Sequence, residues 1–116
     1  MCTLSCLPLS QGYSLMMNRD ESPLRAPART LVQRELDGVC GPMQALLPVD
    51  GAAGGTWIGV NEDGVAFALM NQYPDGYQRP LGAQSRGRLI PEALRVDASM
   101  LGLERVAALD LTKTPP

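Results

Sequence analysis

Two apolar runs joined by an Asp-Gly turn constrain this chain more than any other feature. Thr56-Trp57-Ile58-Gly59-Val60 and the run from Val65 to Asn71 flank Asn61-Glu62-Asp63-Gly64. An Asp-Gly pair between apolar segments marks a tight hairpin, because glycine accepts the positive φ that such turns require. The spacing predicts strands over residues 56–60 and 65–71. A second hairpin is predicted near the start, with strands over Thr3 to Leu7 and Tyr13 to Met17 joined by Ser10-Gln11-Gly12.

Between the hairpins, Ser22-Pro23 and Ala26-Pro27 force an extended, irregular path, since a residue before proline avoids the helical region. Arg29 to Asp37 is polar with interspersed Leu31, Val32 and Leu36, and reads as a helical turn or a loop. Met43 to Val49 reads as a strand, and Pro48 inside it predicts an edge position. Asp50 to Gly55 is expected to be a flexible loop, and Gln72 to Gln84 a polar one. Ser85 is a helix N-cap candidate, with Pro91 placing the helix start at Ile90 or Pro91. Asp97 is a second N-cap candidate, ahead of a helical apolar face formed by Met100, Leu101, Leu103, Val106, Ala107 and Leu109. The tail from Thr112 to Pro116 is expected to fray. Strands first and helices last predict an α+β fold.

The 116 residues fit one domain, 1–116, with a core built mainly of aliphatic side chains, since there are only one Trp, three Tyr and one Phe. A net charge of −2 and the lack of a basic stripe argue against nucleic acid. No apolar run of about 18 residues exists, so no membrane span is expected. The start lacks the basic lead of a signal peptide, and a cytoplasmic location is the expectation. Three cysteines are an odd number, and there is no histidine. Cys-His and Ser-His-Asp catalysis are thereby excluded within the chain, and no zinc-ligand spacing is present.

Chemistry without histidine narrows to a few residues. Cys2 follows the initiator methionine and is small enough for Met1 to be trimmed. Trimming leaves a thiol and a free α-amine on one residue. The amine titrates at about 7.7–8.0 and can act as base toward its own thiol. The alternative is a small hydrophobe on a strand. Asn18-Arg19-Asp20-Glu21 is either plain turn chemistry or a site. Antiparallel pairing of the first hairpin would return it to the neighbourhood of Cys2. Arg19 could then hold an acidic group, and Asp20 could orient the amine. Asn71, closing the central hairpin, is a strand cap or an oxyanion donor. Arg86 is solvated or binds an anionic group, and Trp57 beside Gly54-Gly55 is a core anchor or a ligand platform.

Taken together, Met1-Cys2, Asn18-Arg19-Asp20-Glu21 with Pro23 and Pro27, Gly54-Gly55-Thr56-Trp57-Ile58-Gly59-Val60, Gly64 to Asn71, and Ser85-Arg86-Gly87 with Leu89 resemble the Asn-Arg-Asp-Glu family, also called the transport-and-Golgi-organisation protein 2 family. That family is similar to the N-terminal-nucleophile amide hydrolases, which begin Met-Cys-Thr as this chain does. The resemblance implies a sandwich of two antiparallel sheets between helices. It implies Cys2, Arg19, Asp20 and Asn71 as catalytic residues, with Glu21 able to fill the role of Asp20. Glu21, Trp57 and Arg86 are then substrate-binding candidates. Family members are longer, so the chain reads as the N-terminal half of such a sandwich. An uncovered sheet face would favour a homo-oligomer. The implied activity is hydrolysis of a non-peptide C–N amide bond in a small molecule, with no cofactor and no metal. The alternative is a non-catalytic role in haem or lipid trafficking or secretory-pathway organisation, with Cys2 as an axial haem ligand.

Overall fold

Strand β1 (Thr3–Pro8) and strand β2 (Tyr13–Asn18) pair antiparallel, with Thr3 opposite Asn18 and Pro8 opposite Tyr13. The structure is a computed structural model and describes residues 2–72, 74–78, 81–98, 104, 107–109, 111 and 112. The Ser10-Gln11-Gly12 turn is closed by the Leu9 N–H donating to the Gly12 carbonyl at 3.1 Å. A second sheet has the order β3-β4-β5-β6: β3 (Arg29–Gly38), β4 (Gly41–Val49), β5 (Ile58–Asn61) and β6 (Ala66–Ala68), all neighbours antiparallel. A 3-10 turn at Arg86–Arg88 leads into the short helix α1 (Leu89–Ala93). Among the described residues, two antiparallel sheets are followed by the short helix α1, the α+β arrangement that the element order predicts.

The core lies between α1 and one face of the four-stranded sheet. Residues opposite one another in an antiparallel ladder share a face. Leu36 opposes Met43 and Val32 opposes Leu47, so these four and Ala45 point to the same side. Ile90 and Leu94 press onto them, and Phe67 and Leu69 pack at the margin. Leu47 and Leu94 are the largest fully buried side chains. Asn61 fastens the end of the helical segment to the sheet. Its Nδ2 donates to the carbonyls of Leu94 (3.1 Å) and Val96 (2.7 Å), while its Oδ1 accepts from the Val65 N–H (2.9 Å). A buried carboxamide is tolerated there because both of its ends are paired.

Several sequence expectations are corrected. Arg29 to Asp37 is neither helical turn nor loop but most of a ten-residue strand. It is the edge of its sheet, and its outward positions carry the polar side chains that discourage edge-to-edge pairing. β4 is not an edge strand: it sits between β3 and β5. Pro48 is accommodated because it falls beside the register shift between Arg29 and Val32, and past the paired positions Ala45–Asn61 and Leu46–Val60. The loop after β4 is not loose. Asp50 N–H donates to the Gly55 carbonyl (2.7 Å) and Gly54 N–H returns to the Asp50 carbonyl (2.9 Å). β6 ends well before Asn71, because beyond the Leu69 N–H bond to the Trp57 carbonyl (2.8 Å) the partner chain turns away. Helix α1 starts one residue earlier than expected, at Leu89. Pro91 lies in its first turn, where no helical partner exists for an N–H. Ser85 does cap, accepting the Gly87 N–H at 3.3 Å.

Of the expected helical face after Asp97, residues 100, 101, 103 and 106 lie outside the described residues, as does the tail from residue 113. Among the described residues no helix is long and apolar enough to cross a membrane.

Candidate functional site

The register of the first hairpin decides where the site forms. Thr3 faces Asn18, so the residues that flank them, Cys2 and Arg19, leave the ladder on the same end. The hairpin is moored to the second sheet at both ends. Tyr13 Oη donates to the Gly64 carbonyl in the β5–β6 turn at 2.6 Å. At the other end Arg19 reaches Asp50 after β4 and lies over the Trp57 ring, 4.0 Å from its centroid.

A cleft of about 420 Å³ opens at that end. Cys2, Arg19, Asp20, Glu21, Trp57, Asn71 and Arg86 all line it. The seven candidate site residues are therefore brought to one place from five stretches of the chain, around positions 2, 19–21, 57, 71 and 86. Cys2 is half-buried and Asn71 exposed. Trp57 is half-buried, and the Arg19 guanidinium occupies one face of its indole, which leaves less of the ring for a ligand than a free platform would offer. The three cysteines are free thiols. Among the described residues, no three His, Cys, Asp or Glu side chains cluster to hold a metal ion.

Sequence reasoning missed the charged centre of the cleft. Asp50 is 7% exposed and accepts from four directions. Its Oδ1 takes the N–H groups of Ala52 (3.0 Å) and Ala53 (2.8 Å) and Arg25 Nη2 (3.1 Å). Its Oδ2 takes Arg25 Nε (3.3 Å) and Nη2 (3.1 Å) and both terminal nitrogens of Arg19 (3.3 Å each). Burial pushes the Asp50 carboxyl up, but the Ala53 and Ala52 N–H groups and the Arg25 guanidinium together outweigh it and hold the group below its ordinary value. Glu21 pairs with Arg19 and approaches Arg25 Nε at 3.8 Å. Asp20 is exposed, and a hydrogen bond to the amino terminus, with its positive charge, holds the carboxyl below its ordinary value. An aspartate opening a Gly-rich turn is a recognisable backbone-capping signal. Its burial against two arginines was not readable from sequence, because both partners come from another segment.

The Gly-Gly-Thr-Trp and Ser-Arg-Gly segments form one wall by direct backbone contact. Thr56 N–H donates to the Gly87 carbonyl at 3.1 Å. A Cβ on Gly87 would stand 2.9 Å from Gly55 Cα and 3.0 Å from the Thr56 nitrogen. Gly87→Ala is therefore expected to cost about 1–3 kcal/mol by overpacking against main chain that has no rotamer to change. Urea unfolding checks this as a lower midpoint at unchanged slope.

No curated protein and no solved structure matches the chain. The family model described as Transport and Golgi organisation 2 matches residues 1–110, and the chain belongs to that family, the same as the Asn-Arg-Asp-Glu family.

Proposed function

We propose that the chain is an amide hydrolase of the N-terminal-nucleophile type, acting on a non-peptide C–N bond in a small molecule. The observation that carries this reading is the meeting of Cys2, Arg19, Asp20 and Asn71 in one cleft at the open end of the β1–β2 hairpin. In a chain without histidine, the base available to Cys2 is its own α-amine once Met1 is removed. The Cys2 thiol gives its proton to that amine and the sulfur attacks the amide carbonyl carbon. The carbonyl oxygen takes up negative charge, which the Asn71 carboxamide N–H groups stabilise. The C–N bond breaks, the ammonium returns its proton to the leaving amine, and a thioester remains on Cys2. Water, deprotonated by the same α-amine, hydrolyses the thioester and restores the thiol. Asp20 orients the amine. Arg19, Glu21, Trp57 and Arg86 hold the substrate's polar groups. The two sheets are read as those of an N-terminal-nucleophile sandwich.

The test takes the mature protein and a panel of small N-acyl amides, with amine release and intact mass as readouts. The expected result is loss of Met1, turnover of at least one amide, and a transient acyl adduct on the Cys2 peptide. Retention of Met1, or turnover with no dependence on it, would sink the reading.

The description of the family favours a second reading, ligand carriage in secretory-pathway transport without turnover. The cleft walls bear Arg19, Arg25, Arg86, Asp20, Glu21 and Asp50 and suit a polar ligand. Under this second reading the amide panel gives no adduct on Cys2.

A further inference from the structure

We infer that Asp50 is the positioning residue of the cleft: it tethers Arg19 in place over Trp57, beside Cys2. Three features set it apart from the other acids there. It is on a different element from the arginine that it holds, whereas Glu21 belongs to the same tetrapeptide as Arg19 and moves with it. It is buried, with a side chain 8% exposed against 39% for Glu21, so water competes less for its partners. Its own position is fixed independently, by the Ala52 and Ala53 N–H groups on one carboxylate oxygen. The other oxygen is left to face Arg19 and Arg25. Oδ1 thus holds the carboxylate to its turn and shares Arg25 Nη2, while Oδ2 alone anchors the Arg19 guanidinium. Arg19 then has its plane set by Asp50 and Trp57 together, 3.3 Å and 4.0 Å away. A guanidinium held in plane by Asp50 and against the Trp57 ring keeps one orientation at the cleft wall, which is what a pre-organised site needs.

Asp50→Asn separates the two jobs of this residue. Its carbonyl oxygen can keep the Ala52 and Ala53 N–H bonds, while its NH2 group must face Arg19 and Arg25 with donors against donors. The turn survives and the tether is lost. Trp57 is the only tryptophan in the chain, so its emission reports on this corner alone. Neutral acrylamide measures how well Arg19 covers the ring. Asp50→Asn is expected to raise the acrylamide quenching constant of the full chain about twofold in the wild-type background, and to change nothing in an Arg19→Leu background, as two residues acting through one contact require. The catalytic consequence rests on the hydrolase reading: with a substrate in hand, kcat should fall about tenfold or more for the same variant. Quenching unchanged by Asp50→Asn would overturn the inference. So would an equal rise in both backgrounds, which marks general loosening instead. Asp50→Ser, which also keeps an acceptor for the turn, is read in the same way should the Asn variant not fold. If no amide is turned over at all, the hydrolase reading fails while the quenching comparison still decides the role of Asp50.

Discussion

Cys2→Ala is expected, under the proposed hydrolase mechanism, to abolish amide hydrolysis, by on the order of 10⁴-fold or more, while leaving the thermal midpoint of the protein in place. The expected loss is large because, in the proposed mechanism, the thiol is the atom that forms the bond. What remains in the variant is substrate binding and the oxyanion donor, and those alone leave only a small part of the acceleration. The fold should not notice, since Cys2 precedes β1, is only half-buried and belongs to no core cluster. Cys2→Ser should keep a trace of activity, its hydroxyl being a weaker nucleophile than a thiol. A sharper control inserts one residue between Met1 and Cys2. The thiol then survives but its nitrogen becomes an amide, and activity is expected to fall as far as in Cys2→Ala. Steady-state amine release and Cys2 acylation followed by mass spectrometry check all three. Full activity in Cys2→Ala would end the nucleophile assignment; full activity in the insertion variant would end the α-amine mechanism.

The gathering of these residues was legible because it depended on local rules. A hairpin with a recognisable turn has one sensible register, and that register brings Cys2 and Arg19 to the same end. The Asp-Gly hairpin did the same for Trp57 and Asn71. What was not legible depended on tertiary partners. Arg29 to Asp37 has the composition of a solvated segment, and it is a strand only because β4 supplies a ladder. Pro48 argued for an edge, and only the bulge opposite it explains its central place. Asp50 looked like one more turn residue. Its importance comes from Arg19 and Arg25, which lie 31 and 25 positions away in sequence. The contact between Gly55 and Gly87 was hidden in the same way: two glycine-bearing motifs co-occur, and their backbone approach is the physical reason. Local punctuation thus located the cleft, and non-local charge pairing, invisible in a single sequence, set its interior.

Leu94→Ala is expected to be the most destabilising single truncation, at about 3–5 kcal/mol. The side chain is fully buried, just past the end of α1, against Leu47 and Ile90. Among the described residues the buried cluster has six members, so few neighbours are at hand to refill the void. A domain of this size has a total stability of about 5–15 kcal/mol. The loss is therefore a large share, visible as a drop of about 4–8 °C in thermal midpoint for each kcal/mol. Leu46 supplies the contrast. It is adjacent to Leu47 in β4, points to the opposite face, and is 44% exposed, so Leu46→Ala should cost about 1 kcal/mol or less. A double variant locates the void. A Cβ on Gly59 would meet Leu94 Cδ1 at 2.7 Å, with Leu47 Cβ at 3.2 Å and Ile90 Cγ2 at 3.4 Å. Gly59→Ala alone therefore clashes chiefly with the very atom that Leu94→Ala deletes. Placed in the Leu94→Ala background, the new methyl enters the space left behind, and the pair should be more stable than the sum of the two single losses. Simple additivity would mean that the Leu94 side chain does not pack over Gly59 and that α1 sits elsewhere on the sheet.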